Sequence, residues 1–252
     1  MAASSRIEWT ESTWNPVTGC TKVSEGCLHC YAERMAMRLH AMGNDRYRDG
    51  FAVRCHPEIV DQPLRWKKPS RVFVNSMSDL FHPDVPDEYI CRLFETMERA
   101  GQHEFQVLTK RSERLVAMAH VLPWPPNVWV GVTVESQRWV DRIDQLLQVP
   151  AAVRFVSFEP LLTSITGAPI ADLDWVIVGG ESGPGARPMK TEWVRAIRDR
   201  CIATGVPFFF KQWGGVRKRL TGSKLDGTHW NQWPALNDRR CLDGQPRLQF
   251  AL

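Results

Sequence analysis

The sequence predicts an α/β fold: a complete or partial (β/α) TIM-type barrel with parallel strands and a short irregular C-terminal extension. Two observations carry that expectation. Short β-branched runs alternate with amphipathic helical patterns along most of the chain. Six such runs follow the first helix, too many for one βαβ unit and a number that suits a barrel. At 252 residues the chain is long enough for one large domain to bury its own core.

The elements follow in order. A strand is expected ahead of Cys20, then a cysteine-bearing loop, then a helix whose apolar positions Tyr31, Met35, Leu39 and Met42 recur at helical spacing. Residues 44–70 read as an irregular insertion with a basic end. RVFVNSM is a buried strand, followed by a helix with Pro86 in its first turn and a stripe of Ile90, Leu93, Phe94 and Met97. FQVLTK is the next strand, and Ser112 is placed to cap a helix carrying Leu115, Ala119 and Leu122. VWVGVTVE pairs with a helix bearing Trp139, Val140, Ile143, Leu146 and Leu147, whereas the crossover after RFVSFE is weakly helical at best. WVIVGGE, a helix from Thr191 with Val194, Ile197 and Cys201, a stop at Gly205, and PFFFKQW complete the series. The expected division is a barrel over residues 1–213 and an extension over 214–252 packed on it.

Composition excludes several classes. The opening MAASSRIEW has no apolar run, so neither a signal peptide nor a membrane anchor is expected. Seven cysteines, four of them scattered singly, argue against a disulfide framework and for a reducing, cytoplasmic setting. A net charge of +4 is too mild to indicate nucleic acid by itself.

The densest chemistry lies in GCTKVSEGCLHCYAERMAMRL, where Cys20, Cys27 and Cys30 fall on one loop ahead of a helix. The pair separated by two residues is a chelating unit, Gly19 and Gly26 let the loop double back, and the helix N-terminus favours thiolates. A four-iron cluster sits on three cysteines and leaves one iron open. Structural zinc needs a fourth protein ligand, for which His29, His56 or a more distant residue is a candidate. Unmetallated thiols are the plain alternative.

Five strands end on an ionisable residue, Lys110, Glu135, Glu159, Glu181 and Lys211, and Asp79 lies just past a sixth. In barrels of this kind, ligands and chemistry gather at the carboxyl ends of the strands. Loops are polar in any protein, but six charges in register beside a thiol cluster favour an active site. Gly179 and Gly180 immediately before Glu181 suit close approach of a ligand or an anion-binding nest, or simply a turn. Glu159, before Pro160, is placed to meet a ligand amino group or to pair with Lys110 or Lys211.

A three-cysteine loop after the first strand of a parallel barrel resembles the radical S-adenosylmethionine superfamily, although its usual CxxxCxxC spacing has a longer first interval here. NSMSDLF, LTKR and FEPLL resemble the spore-photoproduct-lyase-like branch. More closely, WNPVTGCTKVSEGCLHCYAERMA, PLRWKKP, FVNSMSDLFH, FVSFEPLL, VIVGGESGPGARPM, FFFKQWG and LDGTHWNQWP resemble a phage-associated three-Cys-motif protein family found beside a three-Cys-motif partner protein. The resemblance implies that Cys20, Cys27 and Cys30 hold a [4Fe-4S] cluster whose open iron takes S-adenosylmethionine, giving a 5′-deoxyadenosyl radical enzyme. It implies that Ser78 and Asp79 meet the methionine amino group, that His29 lies where the superfamily packs an aromatic residue on the adenine, and that Lys110, Glu159, Gly179, Gly180 and Glu181 line the rest of the pocket. The competing expectation is a non-catalytic, zinc-stabilised binding module for the partner protein.

From Gly214 onward strand–helix alternation stops. Arg217, Lys218, Arg219 and Lys224 stand close to Trp230 and Trp233, a mixture that suits a nucleic-acid strand or, alternatively, tryptophans packing the extension onto the barrel.

Overall fold

The computed structural model describes residues 3–5 and 7–235. Eight strands form one sheet in the order β1-β2-β5-β6-β7-β8-β9-β10. They are β1 (Ala3–Ser4), β2 (Ser12–Trp14), β5 (Arg71–Val74), β6 (Glu104–Thr109), β7 (Val128–Thr133), β8 (Val153–Phe158), β9 (Trp175–Gly179) and β10 (Phe208–Gln212). A side hairpin pairs β3 (Val17–Thr18) with β4 (Arg54–Cys55). From β2 to β10 the seven strands are parallel, and β1 adds an antiparallel edge. Strand order never reverses. With right-handed crossovers, the helical connections after β5 therefore fall on one face, and the sheet curls as a half-barrel rather than becoming doubly wound.

The helices α2 (Asp87–Arg99), α3 (Ser112–Met118), α4 (Asp141–Leu146) and α5 (Thr191–Thr204) cover the convex face. Their stripes meet the outward residues of the strands: Ile90, Leu93, Phe94, Met97, Ile143, Val194 and Ile197 are all fully buried with Val72, Val107, Val130, Val156 and Val178. Two helices differ from expectation. Ser112 makes no side-chain cap, and the N-H of Arg111 is taken instead by Thr109 Oγ1 at 2.9 Å. Helix α1 (Tyr31–Ala41) buries Ala32 and Ala36 and leaves Tyr31 and Met35 exposed, as is Met42 just past its end. Small side chains let α1 lie close against Tyr47 and Met77, and the larger ones are turned outward.

Period-two alternation sorts the concave face into layers. Its floor is aromatic: Phe73, Trp129, Phe155, Trp175 and Phe209 pack with Trp9. Farther along the same faces come Leu108, Gly131, Ser157, Ile177 and Gly179, and then Lys110, Glu135, Glu159, Glu181 and Lys211 at the carboxyl-end mouth.

The C-terminal extension completes the floor and one edge. It carries α6 (Lys218–Thr221) and a hairpin of β11 (Lys224–Leu225) and β12 (Thr228–His229). Asn231 bridges Phe209 antiparallel, and Trp233 stacks on Trp175 with ring centroids 4.8 Å apart, beneath the Arg71 guanidinium at 3.9 Å. The tryptophans therefore pack on the sheet. Cys241 and the rest of 236–252 lie outside the described residues, as do the side chains of Lys218 and Arg219.

Candidate functional site

The cysteine loop crosses the mouth of the half-barrel and is tied to several strand ends. At its start Thr21 meets Arg111, which donates to its carbonyl at 3.2 Å and to its hydroxyl at 2.9 Å. In its middle, Ser24 donates to Glu135 at 2.5 Å, and Glu25 accepts from Ser136 and from Trp139 Nε1. Arg187 Nη2 donates to the Glu25 carbonyl at 2.9 Å. Beyond the loop, Arg34 of α1 donates to the carbonyls of Ser182 and Pro184. A chain segment fastened to the ends of β6, β7 and β9 is a lid on the concave face, held by fixed contacts.

Cys20, Cys27 and Cys30 line one cavity of about 370 Å³ with Thr21, Lys22, Glu33 and Phe51. All three are free and half-buried. Burial and the Asp79 carboxylate push the Cys20 thiol up to about 11, overriding the favourable Arg111 contact. Among the described residues no three His, Cys, Asp or Glu side chains converge as they would around a single ion. Neither histidine considered as a fourth ligand lines the cavity. His29 lies against Gly185, within 3.0 Å of where a Cβ would be, and His56 is paired with Thr18 at 2.8 Å. Three thiols from one loop on the wall of a shared cavity would suit a polynuclear cluster, where each sulfur would take a different iron and convergence on one ion is not required.

The mouth charges resolve into ion pairs. Glu135 is fully buried between Arg142 at 2.8 Å and Lys110 at 3.6 Å. Glu159 takes Lys211 at 2.7 Å and Gln212 at 3.2 Å, so of its expected partners the lysine from β10 is the one it meets. Glu181 is clamped by Arg187 through Nε and Nη2; burial alone would raise its carboxyl, but those hydrogen bonds hold it below the ordinary value. Both oxygens of Asp79 are occupied: Oδ1 accepts from Phe81 N and Thr109 Oγ1, and Oδ2 from Lys110 N and Arg111 Nη1. Ser78 donates to the Val17 carbonyl at 2.9 Å, beside the parallel bridge between Ser78 and Gly19.

The glycines around Glu181 are filled by this chain itself. A Cβ at Gly180 would lie 2.0 Å from the Trp213 carbonyl, one at Gly179 3.1 Å from the Glu159 carboxyl carbon, and one at Gly183 2.5 Å from Arg34. They admit neighbouring strands and the lid helix. Sequence reasoning missed Arg111, Arg142 and Arg187, the three arginines that neutralise this face. The first stands directly after LTK, and the other two follow strand-end glutamates by six or seven residues.

The fold and site define a class: an α/β half-barrel whose carboxyl-end mouth is bridged by a three-cysteine loop. The chain belongs to the family described as protein of unknown function DUF5131, which it matches over residues 4–234. No curated protein matches it. Solved structures of spore photoproduct lyase are similar at low identity. A variant with bound AdoMet and dinucleoside spore photoproduct has a TM-score of 0.46 at 14% identity, covering 79% of this chain and 63% of that one. The lyase complexed with dinucleoside spore photoproduct has the same values. The match thus spans less than two thirds of the length of those lyases. Among the described residues no helix is long and apolar enough to cross a membrane.

Proposed function

We propose that the protein is an iron–sulfur radical S-adenosylmethionine enzyme. The observation that carries this reading is the position of Cys20, Cys27 and Cys30 on one cavity, in a loop bridging the carboxyl-end mouth of a parallel half-barrel. Three protein sulfurs leave a four-iron cluster one open position, and with S-adenosylmethionine bound there the group supplies a 5′-deoxyadenosyl radical.

The chain's own residues bind, orient and exclude water. The three cysteines hold the cluster, and Phe51 gives the cavity an apolar wall. Lys110 and Glu159 project from the concave face at the mouth and keep partial exposure, so they are assigned to the polar ends of the cofactor. Asp79 and Glu181 act through the arginines they hold. His29 lies against the Gly185 turn, and Gly179 and Gly180 admit neighbouring parts of the chain, so none of the three is given a direct cofactor contact.

For substrate, the reading is a nucleic acid or nucleotide. Gly215 is bonded to Glu181 and Gly183, so the extension leaves from the rim of the mouth, with Arg217 and Lys224 exposed on it. A partner of the three-Cys-motif kind is proposed on the sequence resemblance alone.

The test is anaerobic reconstitution followed by iron and sulfide analysis and assay for 5′-deoxyadenosine under strong reductant. One four-iron cluster and slow cofactor cleavage are expected. A tightly held zinc ion with no iron would replace this reading with the zinc-stabilised binding module.

A further inference from the structure

Arg111, the arginine that Asp79 holds at the mouth, also reaches one of the three thiols. Its side chain is 9% exposed. Nη1 donates to Cys20 Sγ at 3.6 Å and to Asp79 Oδ2 at 3.3 Å, and Nη2 donates to the carbonyl and hydroxyl of Thr21. Its anchors are themselves fixed. Asp79 is held by Thr109 and two backbone N-H groups, and Thr21 Oγ1 is paired with the buried His82 at 2.8 Å, whose Nδ1 accepts from Asp84 N. A guanidinium locked on four sides cannot swing away from the sulfur. Among the described residues no cation comparably placed reaches the other two thiols, and Cys27 meets the Ser24 hydroxyl at 3.7 Å.

We propose that Arg111 is a positioning residue that fixes Cys20 and, through its hydrogen bond to that sulfur, raises the reduction potential of the cluster. The proposal rests on the radical-enzyme reading. Its physical basis is that one-electron reduction adds negative charge to the cluster and its thiolates. A fixed positive donor on one sulfur stabilises the reduced form more than the oxidised form, and hydrogen bonds to cluster sulfurs are an established lever on potential. The low exposure of the guanidinium strengthens that one interaction, because few water dipoles screen it. Asp79 partly offsets the charge, so the donated hydrogen bond carries the effect more than net charge does.

The experiment is a redox titration followed by electron paramagnetic resonance on the anaerobically reconstituted protein, comparing wild type with Arg111→Gln and Arg111→Lys. Arg111→Gln should lower the reduction equilibrium constant about tenfold, a shift of about 59 mV to more negative potential for one electron. Arg111→Lys should fall between, since lysine keeps the charge and loses the fork that engages Asp79 and Thr21 together. Full iron content with an unmoved potential in Arg111→Gln would overturn the proposal. If that variant loads no cluster, Arg111→Lys and Thr21→Val decide it: both at the wild-type potential would overturn it equally. A wild-type protein that binds no iron fails the enzyme reading itself, and this inference falls with it.

Discussion

Gly26 of the cysteine loop lies directly over the buried side chain of Glu135. A Cβ at Gly26 would come within 2.4 Å of Glu135 Cγ and 2.5 Å of Oε1. The loop therefore sits on a carboxylate that Arg142, Lys110 and Ser24 hold in place, and the absence of one methyl group permits the contact.

Gly26→Ala should accordingly lift the middle of the loop and weaken cluster retention. The overpacking cost is about 1–3 kcal/mol. Glu135→Gln should cost about 3 kcal/mol or more, because it leaves Arg142 buried without its counter-charge. Thermal unfolding and iron content after gel filtration check both. Wild-type behaviour of Gly26→Ala would show that the loop is not seated as described.

The cysteines should divide sharply. Cys20→Ala, Cys27→Ala or Cys30→Ala should each abolish the cluster with little loss of apo-protein stability, since none of the three is fully buried. Cys201 is fully buried in α5, with its thiol pushed up to about 12 by burial. Cys201→Ala should keep the cluster and lose about 1 kcal/mol of stability. Iron analysis and thermal melts on the same preparations separate the two groups, and retention of iron by the triple variant would contradict the assignment.

The extension offers a test of packing against binding. Trp233 contacts Trp175, Phe209 and Arg71, so Trp233→Ala should lower the melting temperature, at a cost of about 2–3 kcal/mol, without altering affinity for single strands. Arg217→Ala with Lys224→Ala should do the reverse and reduce the salt dependence of that affinity. Fluorescence anisotropy at several salt concentrations measures it. Unchanged binding in the double variant would remove nucleic acid as the substrate class.

Stability should fall on mild acidification. His56, His82 and His103 are all buried, and burial is the leading cause that holds each below the ordinary histidine value of 6.5. A folded-state value below the unfolded one means that the unfolded chain binds more protons at low pH. The stabilisation is complete above 6.5 and is lost as pH falls through the folded-state values. Glu181, also depressed, adds a second loss below the ordinary glutamate value of 4.5. Melting temperatures from about pH 8 to about pH 3 should therefore decline in two stages. A flat profile through the first stage would mean that these histidines titrate normally.

The sequence by itself determined the seven parallel strands, the covering helices and the three-cysteine loop. Periodicity, β-branching and the stop at Gly205 (φ 73°) are local properties, and each survives in the structure. It also determined which residues reach the mouth, because alternation carries Lys110, Glu135, Glu159, Glu181 and Lys211 onto one face whatever surrounds them. Only the tertiary structure decided that the sheet stays open, because closure depends on whether β2 and β10 meet, and no local pattern records that. It also decided which cation neutralises each carboxylate. Arg111 reaches both Asp79 and Cys20 across more than thirty residues of chain, a pairing set by strand register and burial and carrying no sequence period of its own. For the same reason α1 turned its methionines outward: helical spacing marks an apolar stripe, but the closeness of Tyr47 and Met77 selected the two alanines beside it.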